Sequence, residues 1–349
     1  MAVRAEGRAS DLARGRRVNP DGFLRDILVA PERLSALLDA YEGSSSPLSA
    51  LTERASGSRQ VVFIGMGSSR FAAVAAAALL RSRGIDAVAE LASTGSPTRP
   101  SRETLAVGIS ASGTTAETIE ALLAHRGASE CVAITNDPRS ELATSSNAVL
   151  PLLAGPEEGG VACLTYQATV AVLLLLAGRL LGDDRQASDL HSAVEAGAQL
   201  RARCGEWLDE VVGLVDGART IATIAPAERL SSALQSALML REGPRLAADA
   251  TETGDWLHVD VYLSKRPGYC ALLFPGSRFD AGVLEWAAKR AFAVVVVGAP
   301  VSGAAIGIPY PGADDPNVRL LVETGAAELI AAELWRRRIE DGDPALTDP

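Results

Sequence analysis

Two short segments of the chain are dense in groups that can hold an anion. Gly65-Met66-Gly67-Ser68-Ser69 follows Val61-Val62-Phe63-Ile64, whose β-branched and aromatic content reads as a buried strand, and precedes an Ala-rich helical pattern over 71–83. Ser110-Ala111-Ser112-Gly113-Thr114-Thr115 follows a second strand pattern over 105–109 and precedes a helical pattern over 115–125. Both segments therefore join a strand end to a helix start. In an open parallel sheet that is where ligands sit, and a helix start offers unpaired N–H groups and partial positive charge. Gly67 lets the backbone approach closely, while Ser68, Ser69, Ser110, Ser112, Thr114 and Thr115 add hydroxyl donors. The chemistry these residue types suit is phosphate binding without a lysine. Ser and Thr are also the preferred helix caps, so either turn alone reads equally well as capping. Two dense clusters in one structural place favour phosphate. Other phosphate loops fit worse: there is no GxxxxGK[ST], the GxG of Gly65 and Gly67 lacks the third glycine of a dinucleotide fingerprint, and neither turn contains a GxSxG elbow.

The elements that must position these turns form an alternation. After strands over 61–64 and 105–109 come short strands over 131–135 and 148–153 and a long apolar helix over 164–181; a helical stretch over 190–215 follows. The alternation then restarts with a strand over 220–224, a helix over 228–241, a strand over 271–274, a helix over 281–290, a strand over 293–297 and a last helix over 320–338. Strand and helix in turn predict parallel sheets covered on both faces, an α/β fold of two similar halves. The repeat is one of pattern, because the two halves are not obviously similar in sequence. Residues 1–20 are polar and aperiodic and read as a loose tail. A helical leader begins at Asp21, and Pro31 is expected to separate it into two helices.

Composition bounds the function. With 349 residues the chain is long enough for two domains, and 48% hydrophobic against 22% charged residues is a globular balance. Aromatics are only 4%, so Ala, Val, Leu and Ile must build the core. A formal charge of −10 argues against a nucleic-acid or membrane-surface partner but not against one small phosphate ester. Cys131, Cys163, Cys204 and Cys270 form no CxxC pair and have no His at metal spacing, so they read as buried, reduced thiols in a cytoplasmic protein. The most apolar run, 170–177, is too short to span a bilayer and reads as a buried helix. No metal or organic cofactor is indicated. His125, at a helix end where a cation complements the dipole, and His191 read as surface residues.

The two turns and their surroundings resemble the sugar isomerase (SIS) family, and more specifically the isomerase half of glucosamine-6-phosphate synthase and its relatives. Asp26-Ile27-Leu28 and Pro31-Glu32-Arg33-Leu34 are similar to the family's usual opening. Gly65 to Ser69 resembles its first phosphate turn, and Ser110 to Thr115 its second, with S-x-S-G-x-T intact. Glu158-Gly159-Gly160-Val161-Ala162 resembles the loop that closes over the sugar. The resemblance implies two tandem SIS domains, each a parallel-sheet three-layer αβα sandwich: a tail and leader over 1–48, a phosphosugar-binding domain over 49–185 and a second domain over 186–349. It implies substrate contacts from Gly67, Ser68, Ser69, Ser110, Ser112, Thr115, Val161 and Ala162. It also implies a general base at Glu242, within Leu240-Arg241-Glu242, and a ring-opening histidine at His258, within Gly254-Asp255-Trp256-Leu257-His258, at the family's spacing of 16 residues. A carboxylate of raised pKa suits proton transfer between C1 and C2, and a histidine suits proton exchange with the ring oxygen near neutral pH. The family relation further implies a homodimer with the active site near the interface, which would let His258 act in trans.

The sequence departs from the family in three places. The synthase-type enzymes carry a C-terminal lysine that forms a Schiff base; here the residues after Arg338 hold none, and the chain's two lysines, Lys265 and Lys289, do not match that position. Ala225-Pro226-Ala227-Glu228-Arg229 replaces a Gly-rich turn in the second half, which leaves one expected phosphate site, in the first. Ala111 removes a side chain that touches sugar in relatives. No glutaminase segment or N-terminal cysteine nucleophile precedes the leader, so the chain is not expected to draw ammonia from glutamine. The expectation is an aldose–ketose or amino-sugar phosphate isomerase or deaminase. A fructosamine-phosphate deglycase, which needs no lysine, is the rival, and a non-catalytic sugar-phosphate sensor ranks third.

Overall fold

The computed structural model describes residues 19–183, 186–343 and 346. The expected tail, up to residue 18, and residues 344, 345 and 347–349 of the lysine-free C-terminal segment lie outside them. The described chain opens with α1 (Pro20–Tyr41), which Asn19 caps by accepting a hydrogen bond from the Asp21 N–H. Next come a short α2 (Glu53–Ser56), β1 (Gln60–Gly65), α3 (Gly67–Ser82), β2 (Asp86–Leu91), β3 (Thr104–Ile109), α4 (Ala116–His125), β4 (Glu130–Thr135), α5 (Glu141–Thr144), β5 (Ala148–Pro151) and α6 (Leu164–Leu181). The second half holds α7 (Gln186–Ala202), α8 (Leu208–Asp216), β6 (Thr220–Ala225), α9 (Leu230–Glu242), β7 (Ala248–Glu252), α10 (Thr253–Trp256), β8 (Tyr269–Leu273), α11 (Asp280–Arg290), β9 (Ala293–Val297), β10 (Ile306–Ile308), α12 (Pro316–Val322) and α13 (Thr324–Glu340).

The strands make two five-stranded, wholly parallel sheets, ordered β2-β1-β3-β4-β5 and β10-β9-β8-β6-β7. Counted within its half, each sheet has the order 2-1-3-4-5, so the repeat expected as a pattern is a repeat of topology. The fold is the two tandem αβα units that the resemblance implies. β3 and β4 are buried along their whole length, as strands covered on both faces must be. The apolar α6 is buried without a break from Leu164 to Gly178 and packs on α1, α3, α7 and α12. It is the one described helix long and apolar enough to cross a membrane, and it is a core element here. α3 packs against α9, and α1 packs against α6, α7 and α13, so helices rather than sheets join the halves.

Several expectations need correction. Pro31 does not divide the leader: α1 runs through it. A proline inside a helix leaves the carbonyl four residues earlier without its donor. That carbonyl is Ile27's, and the buried Arg201 Nε of α7 donates to it at 2.6 Å. The apolar stripe of Phe23, Ile27, Ala30, Leu34, Leu38 and Tyr41 continues across the proline at helical spacing, so packing outweighs the local break. The helical stretch over 190–215 is interrupted by a 3-10 turn at Cys204–Glu206, and the last helix divides at the buried Glu323. β2, β7 and β10 have no counterpart in the sequence reading. All three are sheet edges with partly exposed faces, and Asp86–Leu91 and Ala248–Glu252 carry Ala, Asp and Glu rather than β-branched runs. His125 is not a surface residue: it is 2% exposed, with its Nδ1 3.0 Å from Ser129 Oγ. Burial lowers its pKa against the opposing charge of Glu90. His191 meets Glu42 at 2.8 Å across the interface between α1 and α7.

Candidate active site

The order of the first sheet reverses between β1 and β3, and a crevice opens at the carboxyl ends of such a pair. Gly65 and Ile109 are partners in the register of these strands, so the two serine turns leave the sheet side by side and at the same height. The helices they start face that crevice. Neither α3 nor α4 has a side-chain cap, in contrast to α1 and to α5, whose Ser140 accepts from the Ala143 N–H. The hydroxyls of these turns are thus not spent on capping. Within the second turn, Ser110 Oγ accepts from the Gly113 N–H at 3.1 Å and lies 2.9 Å from Thr115 Oγ1, and Ser112 Oγ lies 2.8 Å from Thr114 Oγ1. These bonds fix the loop shape while leaving lone pairs and rotatable protons for a ligand. Gly67 takes a φ of +50°, and the space where its Cβ would stand is open. Arg70, in the first turn of α3, has a buried Nε without a partner in the protein. Sequence reasoning passed over this cation, although its place directly after Ser69 was a usable signal.

The β5–α6 connection, residues 152–163, leaves the same edge of the same sheet because β5 is parallel to the others. It contains Val161, 1% exposed, and Ala162. The second half reaches it through Gln235, fully buried on α9, whose Nε2 donates to the Ala162 carbonyl at 2.8 Å. Gln235, Met239 and Glu242 are spaced i, i+4 and i+7, hence on one face of α9. Glu242 accordingly ends the helix on the face that touches the loop. Burial raises its pKa, opposed by the charges of Arg245 and Arg241. Behind it, a Cβ on Gly243 would stand 3.2 Å from the Trp335 ring, and that ring lies 6.2 Å from Phe23 of α1. Inside the loop, Glu157 accepts from the Thr165 N–H at 2.8 Å and from the Thr165 hydroxyl, while Cys163 Sγ lies 3.6 Å away. Burial raises Glu157 as well. Its carboxylate and that of Asp26 come close enough to Cys163 to suggest a cation site, but Glu157 is taken up by Thr165 at the start of α6 and Asp26 by the Gly159 N–H of the loop.

His258 does not join this group within the chain. Glu242 precedes β7 and His258 follows it, so a five-residue strand, roughly 16 Å of extended chain, separates their ends. His258 is exposed, as are Val259 and Tyr262, one and four residues later in the chain, at 56% and 65%.

The corresponding crevice of the second sheet, between β6 and β8, is filled. Arg229 is buried there, ion-paired with Glu323 and donating to the carbonyls of Phe274 and Pro275 at the end of β8. The Arg229 side chain thus lies at the second half's counterpart of the β1/β3 position.

The first half of the chain matches a known domain family, and both halves match known folds. The profile of the SIS domain matches residues 56–179. Those residues form a SIS domain. The glutamine–fructose-6-phosphate aminotransferase (isomerizing) of Pyrobaculum aerophilum is 26% identical over 290 residues, covering 80% of this chain and 48% of that protein. The chain spans about half, or less, of the length of the curated relatives it matches. Among solved structures, tagatose-6-phosphate ketose/aldose isomerase from Escherichia coli superposes with a TM-score of 0.74 at 16% identity, over 89% of this chain and 92% of that one. The C-terminal domain of glucosamine-fructose-6-phosphate aminotransferase from Francisella tularensis gives 0.72 at 17%, over 90% and 96%. At these identities the structural likeness speaks for the fold, and both SIS-type halves share in it.

Proposed function

We propose that this SIS-domain protein is an enzyme that binds a phosphorylated sugar at the β1/β3 crevice and moves a proton between its C1 and C2, as an aldose–ketose or amino-sugar phosphate isomerase or deaminase. The observation that carries the reading is the union of two uncapped, hydroxyl-rich helix starts with a loop that α9 holds on the same face as Glu242. The Gly67, Ser68 and Ser69 turn and Ser110, Ser112 and Thr115 would hold the phosphate, with Val161 and Ala162 against the sugar. Glu242, partly desolvated, is suited to take a proton from carbon at neutral pH and return it to the neighbouring carbon through an enediol or enamine. His258 would open the sugar ring. Because β7 separates it from its own Glu242, the reading has it serve the site of a second copy, and the exposed apolar Val259 and Tyr262 that follow it suit a homodimer interface in a cytoplasmic enzyme. This chemistry calls for neither metal nor organic cofactor.

The deglycase reading, cleavage of a fructosamine phosphate by the same base, is supported by the lysines. Lys289 faces Glu285 and the Trp286 ring, and Lys265 lies over the Tyr262 ring, so neither is offered for a Schiff base beside Glu242. Replacement Glu242→Gln is expected to abolish turnover of the best sugar phosphate in either reading while its affinity, measured by calorimetry, stays within a few-fold of wild type. Retained turnover would remove Glu242 from the mechanism.

A further inference from the structure

The residues at the start of α1 hold Glu158 and Gly159 of the β5–α6 loop from outside the sandwich. Asp26 is 2% exposed, and its Oδ2 accepts from the buried Gly159 N–H at 2.7 Å. Arg25 pairs with Glu158 at 2.9 Å, and the Asn19 N–H donates to the Gly159 carbonyl at 3.3 Å. The backbones are in direct contact: a Cβ on Gly159 would lie 2.4 Å from Phe23 Cα, and one on Gly22 would lie 2.8 Å from the Glu158 carbonyl. No side chain fits between helix and loop, so the loop takes its position from the helix. From the opposite side, Gln235 of α9 holds Ala162. Val161 and Ala162 therefore stand between one fixed point on the leader and one on the second half.

We propose that Asp26 is a positioning residue of the active site: its hydrogen bond to the Gly159 N–H sets where Val161 and Ala162 stand against the sugar, and the leader helix is thereby a wall of the substrate site. A carboxylate is suited to this because a charge-assisted bond to a buried N–H is short, directional and costly to lose. Glu157, Cys163, Arg201 and Glu328 surround the same region, and Arg201, 3.7 Å from Glu328, is the cation among them. The proposal rests on the reading of Val161 and Ala162 as the sugar-facing wall. The serine turns share none of these bonds, so the two parts of the site are separable: phosphate binding belongs to the turns, and sugar binding depends on Asp26.

Hydrogen exchange read by mass spectrometry on the full chain tests this directly, in wild type, Asp26→Ala, Asp26→Asn and Gln235→Leu. Asp26→Ala is expected to speed exchange in 157–163 at least tenfold and to leave 66–69 and 110–115 unchanged. Asp26→Asn, whose amide oxygen can still accept from Gly159, should restore most of the protection. Gln235→Leu should loosen the same loop from its other end, which keeps the test open if Asp26→Ala folds poorly. In parallel, titration with fructose 6-phosphate should show at least a tenfold weaker affinity in Asp26→Ala, recovered in Asp26→Asn, with inorganic phosphate within twofold of wild type throughout. Unchanged loop exchange in Asp26→Ala, or equal loss of both ligands, overturns the proposal. If wild type binds inorganic phosphate but no sugar phosphate, the functional reading falls, and the exchange result alone decides whether Asp26 holds the loop.

Discussion

A carboxylate that takes a proton from carbon is helped by a raised pKa, and burial at the end of α9 raises that of Glu242, the proposed base. Its active form is the deprotonated one, so activity is lost as pH falls through its pKa. The acid limb of kcat/KM is therefore expected above the ordinary glutamate value of 4.5. Arg245 opposes the rise, so Arg245→Gln should move that limb to higher pH. A pH–rate profile checks both, and an unmoved limb in the variant would mean that another group titrates. In sequence, Glu242 was recognisable only through its resemblance to a family segment. Its desolvation is a product of tertiary packing that no local pattern carries. Asp26 was quoted as part of the family's opening, but its bond spans 133 residues, and nothing in its neighbourhood announced a partner at Gly159.

At the level of elements, the serine turns were legible because strand end, hydroxyl cluster and helix start are contiguous in sequence. Whether the hydroxyls cap the helices was not legible, since capping and ligand binding use the same residue types. Both helices start without a side-chain cap, which leaves these hydroxyls to the ligand in the proposed reading. The central strands were legible from their β-branched runs. The edge strands β2, β7 and β10 were not, because a strand with one neighbour does not need such runs. Pro31 misled for a related reason: the break was local, while its remedy, Arg201, lies 174 residues from Ile27. Loss of a buried paired arginine costs about 3 kcal/mol, and Arg201→Gln is expected to do so here. In a Pro31→Ala background the helix supplies its own donor to Ile27, and the cost should be smaller by about 1 kcal/mol. Urea unfolding of the four variants measures this coupling, and strict additivity would contradict the assignment of Arg201 to that carbonyl.

For the whole molecule, two halves of one topology differ at corresponding places: the second carries the buried Arg229–Glu323 pair beside its β6/β8 position and reaches the first through Gln235 of α9, which the proposed reading takes as a wall of the first half's site. In the proposed homodimer, the separation of Glu242 from His258 by β7 would have His258 act in the partner's site. Glu242→Gln and His258→Asn should each be inactive alone. Co-expressed, they should recover roughly a quarter of wild-type activity, since half the dimers are mixed and each has one intact site. A mixture that stays inactive would contradict action in trans. The account as a whole stands on the phosphate crevice, and a thermal-shift panel tests it most directly. Hexose, hexosamine and fructosamine 6-phosphates are compared with their unphosphorylated counterparts, because a ligand that binds only the folded state raises its melting temperature at saturation. The prediction is a rise with phosphorylated sugars alone. A rise of equal size with the free sugars, or none with any of them, would contradict the assignment of the two serine turns.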